Sequence, residues 1–183
     1  ELEQYDPQVV SEAIASHGIT QINCAPSAFY PLAESDDYLK SLSSLRLVLF
    51  GGEPIKLNRM SHWIESDACR AELVNMYGPT ECTDISSTYR IKDLKAYTAD
   101  DANRVIPIGR PNANIKLYVL SSDQQLLPTG AVGELCVGGA GVGAGYLNNE
   151  ELTAEKFIAN PFGDGKIYRT GDCVAPRGID MAI

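Results

Sequence analysis

The chain has 183 residues, of which 44% are hydrophobic, enough for one ordinary domain or two small subdomains with a buried core. Its 15 basic and 24 acidic residues give a net charge of -9, which argues against nucleic-acid and anionic-membrane partners because both need clustered Lys and Arg. The five scattered cysteines form no Cys-x-x-Cys pair, so we expect free thiols in a cytoplasmic protein rather than a zinc site or a disulfide scaffold. No apolar run approaches the roughly 18 residues of a membrane helix, and the charged start is unlike a signal peptide. Both ends are expected to be internal to a longer protein.

The first half of the chain alternates predicted helices with short apolar strands. Asp6 and Pro7 suit the start of a helix, and Gly18 suits its end. The strands are predicted at residues 19–24, 45–50 and 73–76, and the other helical segments at 26–33 and 57–64. The inward face of the last helix is predicted to consist of Met60, Trp63 and Ile64. This alternation indicates a parallel sheet covered on both faces.

Each of these strands ends in a polar or Gly-rich loop, at residues 23–26, 51–53 and 77–81. Ligands of parallel sheets bind beyond the carboxyl ends of the strands. We therefore expect the three loops to line one crevice.

The third loop combines three kinds of side chain that suit a nucleotide. The ring of Tyr77 can stack on a base, the hydroxyl of Thr80 can donate to a phosphate, and the carboxylate of Glu81 can hold Mg²⁺. On spacing alone, a plain strand-to-loop turn is an equally good interpretation.

The pattern changes after about residue 105. Strands are predicted at 114–120 and 133–137, on either side of a turn-rich segment, 121–130. Antiparallel hairpins of this kind predict a second, β-rich subdomain. We place the boundary near residues 107–111, which divides the chain into 1–108 and 109–183.

The glycine-rich segment 138–145 contains no Lys and therefore is not a Walker loop. Gly139, Gly141 and Ala144 fit a loose dinucleotide-binding pattern, with Asp164 about 20 residues further on. That pattern needs a long helix at the glycines, whereas the helix predicted here, 150–158, is short and begins later. We favour the alternative that the glycines permit a bend and a close backbone approach.

Seven segments together resemble the AMP-forming adenylate-forming synthetases, and most of all the amino-acid adenylation domains of nonribosomal peptide synthetases. They are residues 77–81, 107–111, 133–139, 143–147, 152–157, 160–162 and 168–172. The resemblance implies an α/β fold that is part of the adenylate-forming-enzyme core. A flavodoxin-like parallel-sheet subdomain would precede a smaller β-rich subdomain, a distorted barrel. It also implies two half-reactions: ATP and an amino acid give aminoacyl-AMP and pyrophosphate, and the acyl group then passes to a phosphopantetheine thiol on a carrier domain.

The resemblance also implies roles for individual residues. Thr80 would contact the α-phosphate, and Glu81 would ligate Mg²⁺. The nucleotide-binding positions would be Gly52, Glu53, Asn75, Tyr77 and Asp172. In that set Tyr77 stacks on adenine, Asn75 bonds its edge, the backbone of residues 52–53 walls the pocket, and Asp172 holds the ribose hydroxyls. Without the resemblance, Gly171-Asp172 is equally well a surface turn.

The matching positions for the amino-acid pocket are Asn23, Leu49, Gly51, Met76, Asp84 and Ile85. Asn23 and Asp84 are polar, which favours a polar, threonine-like substrate, although an apolar or α-keto acid stays open. Asp84 could instead cap its loop and face solvent.

Several parts of the family pattern are not in this sequence. They are the phosphate loop with its Lys, the segment whose acidic residue grips the amino group, and the small C-terminal domain with its catalytic Lys. Residues 177–180 only faintly match the hinge motif. We therefore expect an internal fragment with little activity alone, which works beside carrier and condensation domains. An acyl- or aryl-CoA synthetase and a non-catalytic nucleotide-binding module are the alternatives.

Overall fold

The computed structural model describes residues 6–99, 101, 103–177 and 180–182. The chain folds as two compact units. Unit 1 comprises residues 1–75 and 90–106, and unit 2 comprises residues 76–89 and 107–183. The segment 76–89, which follows most of the third strand, thus belongs with the second half of the chain. The predicted division at 108/109 stays a prediction.

Unit 1 opens with α1 (Pro7–His17), whose ends follow from its sequence. The Asp6 carboxylate accepts a hydrogen bond from the backbone N–H of Gln8 at 2.9 Å and so caps the helix. Gly18 takes the left-handed conformation, with φ 59°, and stops it. The predicted start and stop are both confirmed.

Strands β1 (Gln21–Cys24) and β2 (Leu47–Gly51) of unit 1 pair in parallel, as predicted. The connection between them holds α2 (Pro26–Glu34), α3 (Asp36–Leu39) and a 3-10 turn, Lys40–Ser44. The next helical segment begins as a 3-10 turn, Leu57–Met60, and continues as α4 (Ser61–Glu65).

Aromatic contacts occupy the core of unit 1. The ring of Phe29 on α2 lies 5.4 Å from the ring of Phe50 and 5.1 Å from that of Trp63, both edge-on. Met60, Trp63 and Ile64 are at most 1% exposed, which confirms the predicted inward face of that helix.

The first sheet continues with β3 (Glu72–Tyr77), β4 (Ser87–Ile91) and β5 (Arg110–Pro111), in the order β1-β2-β3-β4-β5. Helix α5 (Leu94–Thr98) follows β4. Because β5 pairs with β4 antiparallel, the sheet is mixed rather than purely parallel. Strand β4 was not predicted.

Unit 2 contains an antiparallel sheet, which confirms the predicted β-rich half of the chain. Its strands are β6 (Ile115–Leu120), β7 (Gly133–Gly139), β8 (Phe157–Ala159), β9 (Lys166–Arg177) and β10 (Asp180–Ala182). The order is β10-β9-β7-β6, and β8 pairs with β9. Each of these pairs is antiparallel.

Helix α6 (Glu150–Lys156) is shorter than the predicted helix 150–158. Phe157 and Ile158 belong instead to β8, where they pair with Tyr168 and Ile167. The aromatic ring of Phe157 is buried in the unit 2 core, so tertiary packing decides its conformation.

The dinucleotide-binding alternative is wrong. The glycine-rich segment leads into a loop, α6 begins only at Glu150, and β7 runs antiparallel to β9. A dinucleotide-binding unit needs a helix that starts at the glycines and a parallel strand after it.

Within the described part of the chain, every helix is too short or too polar to cross a bilayer.

Candidate functional site

The residues predicted to contact phosphate and metal lie on a closed loop, residues 77–86, in unit 2. The backbone N–H of Ser86 donates to the carbonyl oxygen of Tyr77 at 2.8 Å and joins the two ends of the loop. Gly78 makes this closure possible, because a Cβ there would lie 1.9 Å from the carbonyl oxygen of Asp84. The loop therefore depends on a glycine for steric reasons.

A 3-10 turn, Thr80–Cys82, forms the middle of this loop. The Cys82 side chain is 1% exposed and packs in a cluster with Val137 and Phe157, so it anchors the turn to the unit 2 core. Thr80 is exposed and Glu81 is half-buried. The anchored turn thus presents a hydroxyl and a carboxylate next to each other.

The two predicted nucleotide-binding residues of unit 2, Tyr77 and Asp172, are in direct contact. The Tyr77 hydroxyl donates to Oδ2 of Asp172 at 2.5 Å, although the two residues are 95 positions apart in the chain. Burial, with a smaller contribution from this carboxylate, raises the pKa of Tyr77 well above its ordinary value. Tyr77 therefore remains a neutral hydrogen-bond donor. The hydrogen bond holds its ring and the Asp172 carboxylate next to each other.

Asp172 reaches Tyr77 from a bulge inside β9, not from a surface turn. Between the pairs Glu134–Cys173 and Cys136–Arg169, β7 advances two residues while β9 advances four. The backbone N–H of Asp172 donates to the Thr170 hydroxyl at 3.0 Å, and that hydroxyl donates to the Leu135 carbonyl at 2.7 Å. Bulges re-aim side chains in this way beside functional sites.

Glu134 supports the same bulge, a role that the sequence analysis missed. Its Oε1 accepts from the backbone N–H of Gly171 at 3.2 Å. Its Oε2 accepts from Nη2 and Nε of Arg169 at 2.7 and 3.1 Å. The position of Glu134 in one of the seven matched segments was the only signal of this role.

The Glu81 carboxylate also has a partner that the sequence did not reveal. The hydroxyl of Tyr146 donates to Oε1 of Glu81 at 2.6 Å, and the hydroxyl of Tyr168 lies 3.2 Å from that of Tyr146. The hydrogen bond from Tyr146 is the main cause that lowers the pKa of Glu81. The site therefore favours the ionised carboxylate, the form that binds a cation.

The glycine-rich segment lies against the backbone of this loop. The N–H of Gly143 donates to the carbonyl oxygen of Glu81 at 2.8 Å, and the hydroxyl of Thr83 donates to the Gly141 carbonyl at 2.8 Å. A Cβ at Gly141 would lie 2.8 Å from the carbonyl oxygen of Cys82. These contacts confirm that the glycines permit a close backbone approach.

In unit 1, one side chain joins the loop after β2 to the start of α2, the helix that follows β1. The Glu53 carboxylate accepts from the backbone N–H of Ser27 at 3.2 Å and from its hydroxyl at 2.9 Å. Since Ala25, the N-cap of α2, offers no side-chain cap, Glu53 caps that helix from a distance. Gly52, before it, has a φ of 83°.

The other predicted positions are divided between the two units. Asn23, Leu49, Gly51 and Asn75 fall in unit 1, and Met76, Asp84 and Ile85 fall in unit 2. Asn23 and Asp84 are exposed, whereas Met76 is 8% exposed. A common amino-acid pocket, and a crevice lined by all three loops, stay predictions.

Among the described residues, no cluster of three or more His, Cys, Asp or Glu could hold a metal ion. Glu81 would supply one carboxylate ligand. Mg²⁺ fits such a site, because it is commonly bound by one or two carboxylates together with substrate phosphates and waters.

Comparison with protein families identifies the group to which these features belong. The model of the family described as AMP-binding enzyme matches residues 1–147. The chain belongs to this family. The adenylate-forming family expected from the motifs is thus confirmed.

Curated relatives include synthetases of nonribosomal peptides. The chain is 38% identical over 173 residues to tyrocidine synthase 3 of Brevibacillus parabrevis, which covers 94% of the chain and 2% of that protein. It is 48% identical over 138 residues to malpibaldin synthetase of Mortierella alpina, and this match covers 74% of the chain and 2% of that protein. The chain thus spans only 2% of the length of each of these relatives.

Solved structures of adenylation domains share the fold. One is the N-terminal subdomain of NpsA from Klebsiella oxytoca in complex with 3-hydroxybenzoyl-AMSN. The match has a TM-score of 0.80 and 27% identity, and it covers 97% of our chain and 44% of the NpsA chain. Another is a nonribosomal peptide synthetase protein with adenylation and PCP domains, bound to a vinylsulfonamide inhibitor. The match has a TM-score of 0.83 and 28% identity, and it covers 97% of our chain and 30% of that protein's chain. The resemblance to adenylation domains and the expected fold class are confirmed.

Proposed function

We propose that the chain is part of an ATP-dependent enzyme that activates an amino acid as aminoacyl-AMP with release of pyrophosphate. The acyl group is then transferred to the phosphopantetheine thiol of a carrier domain. The observation that carries the proposal is the 2.5 Å hydrogen bond between Tyr77 and Asp172 in the unit that also presents Glu81. An aromatic face beside a carboxylate is the pair of groups that an adenosine needs.

In this proposal the nucleotide base stacks on the ring of Tyr77, and Asp172 accepts hydrogen bonds from the ribose hydroxyls. The hydrogen bond between the two side chains fixes their separation before the nucleotide arrives, which reduces the entropy lost on binding. Asn75, two residues before Tyr77 on β3, would bond the edge of the base. Gly52 and Glu53, whose loop is held by Ser27, stay predicted nucleotide-binding positions of unit 1.

Thr80 and Glu81 serve the phosphates. Bound Mg²⁺ would neutralise phosphate charge as the carboxylate of the amino acid attacks the α-phosphorus. The Thr80 hydroxyl, exposed on the anchored 3-10 turn, donates to an α-phosphate oxygen. Glu81, kept ionised by its hydrogen bond to Tyr146, supplies the oxygen ligand. The reacting centre is anionic, so these residues contribute orientation and charge stabilisation.

The six positions predicted for amino-acid recognition stay predictions, and we expect a polar substrate because Asn23 and Asp84 are polar. The solved relative that contains adenylation and PCP domains supports a carrier domain as partner, and we propose a condensation domain as a further partner.

The test is amino-acid-dependent ATP–pyrophosphate exchange by the full-length protein that contains this chain, across a panel of acids. We expect exchange with one acid or a small group of acids. Glu81→Ala should lower the rate by about 100-fold or more, because metal charge stabilisation is worth several kcal/mol. Glu155→Ala is the matched control, since Glu155 is exposed and its ion pair with the neighbouring Lys156, at 3.5 Å, lies on α6. Equal exchange by the Glu81 variant and the control would refute the role of Glu81.

One observation favours a second substrate class, aryl acids. The NpsA structures hold 3-hydroxybenzoyl-AMSN or 3-hydroxyanthranilyl-AMSN. The panel therefore includes hydroxybenzoic and anthranilic acids. Coenzyme A is tested as the acyl acceptor in parallel with the carrier domain, because transfer to coenzyme A would identify an acyl- or aryl-CoA synthetase. ATP binding without exchange for any acid would instead favour the non-catalytic nucleotide-binding module.

A further inference from the structure

The hydroxyl of Tyr146 lies 2.6 Å from Oε1 of Glu81, and this contact joins residues that are 65 positions apart. It engages Oε1, and the hydroxyl of Tyr168 interacts with the same carboxylate with a smaller effect on its pKa. A hydrogen bond to an ionised acceptor is shorter and about twice as strong as a neutral one. It therefore restricts the side-chain torsions by which the carboxylate could otherwise turn.

Tyr146 is itself held in place through its backbone and through its ring. Its backbone N–H donates to the hydroxyl of Thr153 on α6 at 2.9 Å. Its ring meets that of Phe157 edge-on at 5.3 Å, and Phe157 in turn contacts the ring of Tyr168 at 5.0 Å. The Tyr146 hydroxyl therefore has a fixed position set by the unit 2 core.

Glu81 is thus held at two points by a single segment of the chain. Gly143 binds its backbone carbonyl at 2.8 Å, and Tyr146, three residues later, binds its carboxylate. The carbonyl contact fixes where the side chain starts, and the hydroxyl contact fixes where it ends. A metal ligand whose own hydrogen bond sets its orientation is the usual arrangement around protein metal sites.

We propose that Tyr146 is a positioning residue, which orients the Glu81 carboxylate so that its second oxygen is presented to Mg²⁺. This inference rests on the proposed function, in which Glu81 ligates the metal. Tyr146 touches neither the metal nor the substrate in this role. It differs from a purely structural tyrosine because the hydroxyl, and not the ring, carries the effect.

The experiment measures Mn²⁺ binding to the full-length protein in the presence of ATP, from the electron paramagnetic resonance signal of the free ion. Tyr146→Phe removes only the hydroxyl and keeps the contact with Phe157. Tyr118→Phe is the matched control, because it also removes one tyrosine hydroxyl from unit 2. Tyr118 lies on β6, and its hydroxyl contacts Asn160 at 3.5 Å rather than Glu81. Glu81→Ala reports whether that carboxylate binds the metal.

We expect Tyr146→Phe to weaken Mn²⁺ binding about 10-fold or more, the usual effect of removing the partner of a metal ligand. Metal-free ATP binding and thermal stability should match those of Tyr118→Phe. In pyrophosphate exchange, the Mg²⁺ concentration that gives half the maximal rate should rise while KM for the amino acid stays the same.

The remaining outcomes overturn the inference in separate ways. If Glu81→Ala weakens Mn²⁺ binding but Tyr146→Phe behaves like Tyr118→Phe, the positioning role is wrong and the proposed role of Glu81 stands. If Tyr146→Phe weakens metal-free ATP binding as much as Mn²⁺ binding, the hydroxyl supports the fold rather than the ligand. If Glu81→Ala binds Mn²⁺ normally, the metal-binding role of Glu81 and this inference both fail.

Discussion

The closed loop that carries Thr80 and Glu81 should not tolerate a single added methyl group at Gly78. A Cβ at that position would lie 1.9 Å from the Asp84 carbonyl oxygen and 2.6 Å from the backbone nitrogen of Ser86. Both are main-chain atoms and cannot turn aside as a side chain would. Gly78→Ala therefore forces the two ends of the loop apart.

The size of the effect follows from these distances. Real Cβ atoms essentially never approach within 3.0 Å, so an oxygen now at 1.9 Å must move by about 1.1 Å. That shift breaks the 2.8 Å bond from Ser86 to the Tyr77 carbonyl, which closes the loop. Overpacking of about 1–3 kcal/mol and a lost hydrogen bond of about 1 kcal/mol give a total destabilisation of roughly 2–4 kcal/mol.

Two other glycines of unit 2 provide matched controls. Gly163 has a φ outside the left-handed region, and its nearest neighbour, a side-chain nitrogen of Asn160, is 3.6 Å from the added Cβ. Gly163→Ala should therefore change stability by less than about 1 kcal/mol. Gly165 has a φ of 82° and open space, so Gly165→Ala should cost about 1–2 kcal/mol through backbone strain alone.

The free energy of unfolding of the three variants is measured in urea titrations monitored by far-ultraviolet circular dichroism. The values are compared only if the dependence of the free energy on urea concentration is the same for all variants. The expected order of destabilisation is Gly78→Ala, then Gly165→Ala, then Gly163→Ala. If Gly78→Ala unfolds at the same urea concentration as Gly163→Ala, the loop relaxes freely and the steric reasoning is refuted.

Two further predictions concern protonation and thiol chemistry. Because burial raises the pKa of Tyr77, its neutral form stabilises the fold fully below the ordinary tyrosine pKa of about 10, and this stabilisation is lost as pH rises above it. The stability difference between the parent protein and Tyr77→Phe should therefore shrink at alkaline pH in urea titrations, and a constant difference would contradict the prediction. Burial raises the pKa of Cys82 and Cys136 to about 12, so at pH 8 only about one molecule in ten thousand carries the thiolate at either site. Iodoacetamide and peptide mass spectrometry should find the exposed Cys173 labelled first and these two only after denaturation, whereas labelling of Cys82 at the rate of Cys173 would mean that its burial is transient.

Elements whose causes are local could be predicted from the sequence. The cap at Asp6 and the left-handed stop at Gly18 act within one helical turn, and the apolar face of Trp63 and Ile64 follows from helical spacing. Strand β4 could not be predicted, because its central residues are polar or aromatic without alternation. It becomes a strand through its pairing with β3 on one side and β5 on the other, where Thr88 faces Arg110.

In the candidate site, too, the residues with locally recognisable roles were predicted, and their distant supporting contacts were not. The residue types at Tyr77, Glu81 and Asp172 indicated nucleotide chemistry because each suits its role by itself. Their supports are distant in the chain: Tyr146 is 65 residues from Glu81, and Glu134 is 37 residues from the backbone N–H of Gly171. The second of these contacts depends on the antiparallel register of β7 and β9, which no local pattern specifies.

The glycine-rich segment shows most clearly why a local pattern can fit two structures. The same glycine spacing would suit a backbone wrapped around a dinucleotide phosphate, and here it suits a backbone packed against another backbone. A Cβ at Gly139 would lie 2.1 Å from the Asn114 carbonyl oxygen, and one at Gly143 would lie 3.1 Å from the Glu81 carbonyl oxygen. Both requirements come from a protein main chain, so the segment serves to support the loop of Glu81. The choice between the two structures was made by the absence of a helix at the glycines and by the antiparallel neighbours of β7, not by the glycines themselves.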